Sequence, residues 1–138
     1  MNEYQFSDLS IGMSESFSVT VTEEMMAAFS NMTGDKNPLH ADPSYAKKQG
    51  YPTPVAYGML TASFLSALAG MYLPGKYSLI QGVDIKFTKP VFPGNTLTIT
   101  GTVSELHPNF QMMQLKVLIC DETKRKVLKG KMQIGLLR

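Results

Sequence analysis

An acidic residue and a histidine stand five positions apart in a short polar segment of the chain. Asp35 and His40 lie in the stretch GDKNPLHADPSYAKKQGY, which covers residues 34 to 51. This spacing is poor for one helix face, but in a turn the two side chains can converge on one water. A carboxylate and an imidazole sharing a water can remove a proton from it and return one to carbon. The alternative is structural: Asp35 caps a turn and His40 hydrogen-bonds the backbone.

Helices are predicted on both sides of this loop. Before it, Thr22 is a good N-cap for an amphipathic helix over 23–32, which Gly34 would end. Within the loop, Asp42 would cap a short helix that runs to about Gln49. After it, MLTASFLSALAGMYL (59–73) carries apolar or small residues on every face. A helix that is apolar all round is surrounded by protein.

The remaining segments alternate between apolar and polar residues, which is typical of strands. They lie near 16–21, 83–87, 96–103, 115–119 and 128–136. Alternation of this kind predicts an antiparallel sheet with one buried face. A sheet of about five strands curled around the central buried helix would bury both apolar surfaces. We therefore predict an α+β fold of the hot-dog type, one domain over residues 1–138, with the 34–51 loop overhanging the helix.

The composition narrows the possible functions. The chain is 43% hydrophobic and 17% charged with a net charge of +2, which argues against disorder and against nucleic acid as a partner. The apolar run 59–73 is shorter than the roughly 20 residues of a membrane span. Cys120 is the only cysteine, so no internal disulfide is possible, and a cytoplasmic location is favoured. No cluster has metal-ligand spacing, and no glycine-rich phosphate loop follows a strand.

The loop and the segments after it resemble a known family. FSNMTGDKNPLHADPSYA (29–46) closely resembles the hydratase-2 motif of the MaoC-like dehydratases and (R)-specific enoyl-CoA hydratases. YGMLTASFLSALAGMYLPG (57–75) is similar to that family's central helix. VDIKFTKPVFPGNTLTITGTV (83–103) is similar to the strand pair that follows it. The resemblance covers about residues 15–137.

The resemblance implies specific roles for several residues. Asp35 and His40 would be the catalytic pair, activating water to hydrate a trans-2-enoyl-CoA or, in reverse, dehydrating an (R)-3-hydroxyacyl thioester. The backbone N–H of Gly58 would stabilise the thioester enolate oxygen. Ser66 would lie near the catalytic residues, although bonding to a carbonyl of its own helix is an equally good reading. Asn37 would shape the loop.

The resemblance also bears on cofactors and partners. It implies that the reaction needs no cofactor. The acyl group would be carried as a thioester by coenzyme A or by the phosphopantetheine arm of an acyl carrier protein, which would be part of the substrate. It implies a homodimer whose sheets join edge to edge, with the site in a tunnel at the interface. The chain has Tyr57 where the family motif His-Gly-Met-Leu has histidine. Two other hypotheses stay open: a hot-dog acyl thioesterase, and a non-catalytic acyl-thioester-binding subunit of a dehydratase complex.

Overall fold

The computed structural model describes all 138 residues. Its α-helices and strands follow in the order β1 (Ser14–Thr20), α1 (Glu23–Thr33), α2 (Pro43–Lys48), α3 (Gly58–Ala67), β2 (Ser78–Phe87), β3 (Thr96–His107), β4 (Met112–Cys120) and β5 (Lys126–Leu136). Short 3₁₀ turns cover Phe6–Asp8, Pro38–His40 and Pro108–Phe110. No helix is long and apolar enough to cross a bilayer.

The five strands form one antiparallel sheet in the order β1-β3-β4-β5-β2. The alternating apolar residues of β3, β4 and β5 are buried, including Ile99, Leu115 and Ile134. Gly101 on β3 allows close approach of Leu68, the residue that directly follows α3, because a Cβ there would lie 3.0 Å from Leu68 Cδ2 and 2.9 Å from Leu115 Cδ2. The sheet therefore packs directly on the helix, and the predicted hot-dog fold is confirmed.

The predicted helix boundaries in front of and within the loop are confirmed. Thr22 Oγ1 accepts a hydrogen bond from Met25 N at 3.1 Å, as an N-cap does. Gly34 ends α1 with φ at 82°, a left-handed conformation that glycine adopts without steric cost. Asp42 caps α2 by accepting from Ser44 N at 2.9 Å.

The central helix is less enclosed than its composition predicts. The α-helix ends at Ala67 and continues as one π turn over Leu68–Tyr72. Leu65 and Leu68 are buried, but Met59 is 64% exposed and Ser66 is also exposed. The expectation of burial on every side is therefore wrong for a single chain, because the sheet covers only one side of the helix.

Strand β2 also departs from the expected pattern. It begins five residues earlier than the predicted 83–87 strand, and it lies at the edge of the sheet beside β5. Val83 and Phe87 are 51% and 50% exposed, so the apolar side of this strand is not buried within one chain. The alternation correctly identified β2 as a strand. Of the other four strands, β3, β4 and β5 bury their apolar residues as expected, and β1 does so only in part.

Candidate active site

Local hydrogen bonds between side chains and backbone shape the loop that carries Asp35. Its Oδ1 accepts from Asn37 N at 3.0 Å, and Asn37 Oδ1 accepts in turn from Leu39 N at 3.0 Å. Each bond spans two residues, the pattern by which Asp and Asn stabilise turns. Asn37 therefore takes part in two hydrogen bonds that stabilise the turn. The second carboxylate oxygen of Asp35 has no protein partner and is free for a ligand.

The ring of His40 is held from one edge. His40 is the last residue of the 3₁₀ turn, and its Nδ1 lies 2.6 Å from Val55 O. A carbonyl oxygen only accepts, so Nδ1 must carry the proton, which leaves Nε2 as an acceptor in the neutral ring. Val55 N donates to Leu39 O at 3.1 Å and ties the same two segments together. Asp35 thus caps a turn and His40 bonds the backbone, the two structural roles considered from the sequence. Each side chain keeps a second polar atom free.

Asp35, His40 and Gly58 line one open cavity of about 510 Å³. The other lining residues are Phe29, Thr33, Tyr57, Met59 and Phe87. The structure therefore brings together the three residues that sequence reasoning ranked highest. The aromatic residues and Met59 make most of the remaining wall apolar, as an acyl chain would require.

Gly58 is the first residue of α3, so its N–H has no partner within the helix. No other protein group accepts from it. A free N–H at a helix N-terminus, reinforced by the helix dipole, favours a negatively charged oxygen. A Cβ at this position would lie 3.3 Å from Phe87 Cε1, within the wall of the cavity. The glycine therefore keeps this approach open.

A second cavity of about 320 Å³ adjoins the first and shares His40, Gly58 and Phe87 with it. Thr61 lines this space and is 1% exposed, and its Oγ1 has no hydrogen-bond partner. A buried hydroxyl without a partner is costly unless water or a ligand satisfies it. The two cavities together therefore extend the space available beside Asp35 and His40.

Ser66 is not brought to the site within one chain. It is exposed on α3 and lines neither cavity. Its neighbour Ser63 donates to Leu60 O, three residues earlier in the helix, at 2.6 Å. Sequence reasoning did not place Thr61 and Phe87 at the site. Thr61 could have been found as a polar residue inside an apolar helix, and Phe87 as the last apolar residue of a strand at the edge of the sheet.

Other features of the surface do not compete with this site. No group of three or more His, Cys, Asp or Glu side chains is arranged to hold a metal ion. A larger concavity of about 670 Å³ is lined by five lysines and holds none of the residues discussed above. Because Lys116 and Lys131 alternate with buried residues on their strands, this concavity lies on the face of the sheet away from the core.

The fold and the cavity define a hot-dog protein with a carboxylate and an imidazole in one cavity at the N-terminal end of its central helix. The sequence pattern of the MaoC like domain matches residues 9–123, and the chain belongs to that family.

Curated relatives and a solved structure agree with this assignment. The chain is 33% identical over 127 residues to an (R)-specific enoyl-CoA hydratase from Rhodospirillum rubrum, covering 92% of this chain and 88% of that protein. It is 30% identical over 110 residues to a 3-hydroxybutyryl-CoA dehydratase from Methylorubrum extorquens, covering 80% of this chain and 70% of that protein. The structure of the (R)-hydratase from A. caviae involved in PHA biosynthesis superposes with a TM-score of 0.89 at 32% identity, covering 93% and 97% of the two chains. The two curated relatives are hydro-lyases by name.

Proposed function

We propose that the protein is a hydro-lyase that adds water to a trans-2-enoyl-CoA to give the (R)-3-hydroxyacyl-CoA, and that catalyses the reverse dehydration. Membership of the MaoC-like family and the names of the relatives support the reaction class. The observation that carries the mechanism is the single cavity that Asp35, His40 and the N–H of Gly58 share.

In the proposed hydration, Asp35 and His40 hold one water between them. The free oxygen of Asp35 takes a proton from this water, and the hydroxyl forms a bond to the β-carbon. The electron pair of the C=C bond moves to the α-carbon and the thioester oxygen. His40 Nε2, unprotonated at the start, orients the water by accepting a hydrogen bond from it, receives the water's proton from Asp35, and delivers that proton to the α-carbon. The bond from Nδ1 to Val55 O supports this role, because it directs Nε2 away from the backbone contact. The pair exchanges protons as one unit, and both groups return to their starting state.

The thioester oxygen gains negative charge in the enolate-like intermediate. The N–H of Gly58 is the donor proposed to stabilise it, since preorganised donors act where charge develops in the transition state. The N-terminal end of α3 adds the favourable dipole. Addition of water to the C=C bond involves no net oxidation or reduction, so the reaction requires no redox cofactor. Coenzyme A, or the phosphopantetheine arm of an acyl carrier protein, is proposed as part of the substrate only.

The direct test is incubation of the purified protein with crotonyl-CoA. We expect loss of the absorbance of the conjugated enoyl thioester and formation of (R)-3-hydroxybutyryl-CoA, identified by chiral chromatography. Release of free thiol without hydration would instead indicate a hot-dog thioesterase. Binding of crotonyl-CoA without turnover would indicate an acyl-thioester-binding subunit, and an (S) product would contradict the proposed stereochemistry.

A further inference from the structure

We infer that Tyr57 is a positioning residue that fixes Asp35, His40 and Gly58 relative to one another. This inference rests on the proposed function and deepens it. Tyr57 is 3% exposed and lies in the wall of the catalytic cavity. It contacts the other three residues in three different ways, through its hydroxyl, its ring and its backbone.

The hydroxyl of Tyr57 holds the loop of Asp35. Tyr57 Oη donates to Asp35 O at 2.8 Å, across 22 residues of sequence. The same carbonyl oxygen accepts from Ser30 Oγ at 2.9 Å, from helix α1. Because Asp35 is exposed, packing does not hold it, and these two hydrogen bonds fix its backbone instead. Tyr57→Phe would leave the carbonyl oxygen of Asp35 bonded to α1 alone.

The ring of Tyr57 holds the face of His40. The two ring centroids lie 4.1 Å apart at an interplanar angle of 30°. Tyr57 also packs against Phe29 of α1, with ring centroids 4.8 Å apart. The imidazole is therefore fixed at its edge by Val55 O and at its face by an aromatic ring. An aromatic face also attracts a positive charge, which His40 acquires whenever Nε2 accepts a proton.

The backbone of Tyr57 sets the start of α3. Tyr57 is the N-cap, with φ at −60° and ψ at 125°, and its carbonyl accepts from Leu60 N and Thr61 N at 3.1 and 3.2 Å. The next N–H along the chain is that of Gly58. A shift of the Tyr57 side chain would therefore change the positions of the carboxylate and the imidazole relative to the oxyanion donor. Misplacement of catalytic groups by about 1 Å can cost about 100-fold in rate.

Two substitutions separate the hydroxyl from the ring. Tyr57→Phe keeps the ring on His40 and removes only the bond to Asp35 O, so we expect kcat for crotonyl-CoA hydration to fall by about 10-fold. Tyr57→Leu removes both contacts, and we expect a fall of about 100-fold or more. The Kd for butyryl-CoA, a saturated thioester that cannot be hydrated, should stay within about twofold in Tyr57→Phe, because positioning affects the reacting groups rather than ground-state binding.

Tyr4→Phe is the matched control. Tyr4 Oη donates to Glu15 Oε1 at 3.0 Å in a half-buried position away from the cavity. Loss of this hydrogen bond should lower the melting temperature about as much as Tyr57→Phe does, and kcat should be unchanged.

The outcomes separate this inference from the proposed function. If the wild type hydrates crotonyl-CoA and both Tyr57 variants keep full kcat, the positioning role is wrong and the function stands. A loss of kcat matched by an equal loss in the Tyr4→Phe control would also overturn the positioning role, since it would report stability alone. If the wild type itself does not hydrate crotonyl-CoA, the proposed function fails and this inference fails with it.

Discussion

Asp35 and His40 each use one polar atom to build the loop and keep a second one free. The resemblance of the loop to the hydratase-2 motif implied both residues, whereas their spacing alone left a purely structural role open. It could not predict that Val55 O would fix the proton on Nδ1 of His40, because Val55 lies fifteen residues further along the chain. The fit of Tyr57 against both residues was equally invisible, since it depends on how the 51–58 segment returns over the loop.

The N–H of Gly58 can be tested by removing it without breaking the helix. Proline is well tolerated at the first helical position, and the φ and ψ of Tyr57 already suit a residue before proline. We expect Gly58→Pro to fold and to lose about 100- to 1,000-fold in kcat, the usual loss for an oxyanion donor.

Gly58→Ala is the matched control for this change. It keeps the N–H and places a Cβ against Phe87, as proline also does. We expect the alanine variant to stay within about tenfold of the wild type, since only the steric contact is new. Equal kcat values for the proline and alanine variants would show that Gly58 donates no catalytic hydrogen bond.

At the scale of elements, the sequence predicted strands and helices well where local chemistry defines them. The cap at Thr22, the glycine after α1 and the buried alternation of β3 and β4 all follow from single residues or short periods. The exposure of β2 and of one side of α3 could not be predicted in this way. Apolar pattern shows that a surface needs cover, but it does not show whether that cover comes from the same chain.

Asp121, in the turn between β4 and β5, should make the stability of the protein depend on pH. Hydrogen bonds from the Thr123 hydroxyl, and from the backbone N–H groups of Arg125 and Thr123, lower the pKa of Asp121 below its usual value, against the effect of burial. A lowered carboxyl pKa adds stability above the usual pKa, and this stability is lost as pH falls through the folded-state value. Asp121→Asn should therefore be less stable than the wild type by about 1–3 kcal/mol at about pH 7.

Urea unfolding at two pH values checks this expectation. The difference in the free energy of unfolding between wild type and Asp121→Asn should shrink between about pH 7 and about pH 3, because the unfolded wild-type chain takes up a proton at Asp121 at a higher pH than the folded protein does. A difference that is constant over this range would show that the charge of Asp121 does not contribute.

At the scale of the whole molecule, the sheet has two edges of different character. The β1 edge presents serine and threonine residues, whereas the β2 edge exposes Leu79, Ile80, Val83 and Phe87. An exposed apolar edge invites pairing with another strand. Phe87 and the exposed Met59 also line the cavity that holds Asp35 and His40, so a partner at this edge would help to enclose it. We propose a homodimer in which β2 pairs with β2 of a second copy.

A lysine on this edge should prevent the pairing. We expect Val83→Lys to shift the protein from twice the 15.2 kDa chain mass to a 15.2 kDa monomer in analytical ultracentrifugation. Hydration activity should fall with it, because the Met59 and Phe87 side of the cavity stays open. Ser16→Lys, on the exposed face of β1, should remain dimeric. A fully active wild-type monomer would contradict the dimer.

The most direct measurement is kcat for crotonyl-CoA hydration in Asp35→Asn. Asparagine can still accept the bond from Asn37 N, so the loop should keep its shape while the charge that takes the proton of water is lost. We predict a normal melting temperature and a fall in kcat of about 100- to 10,000-fold. Asp42→Asn, which changes the carboxylate that caps α2, should keep both properties because asparagine is an equally good cap. A folded Asp35→Asn protein with wild-type kcat would contradict acid–base catalysis at this cavity.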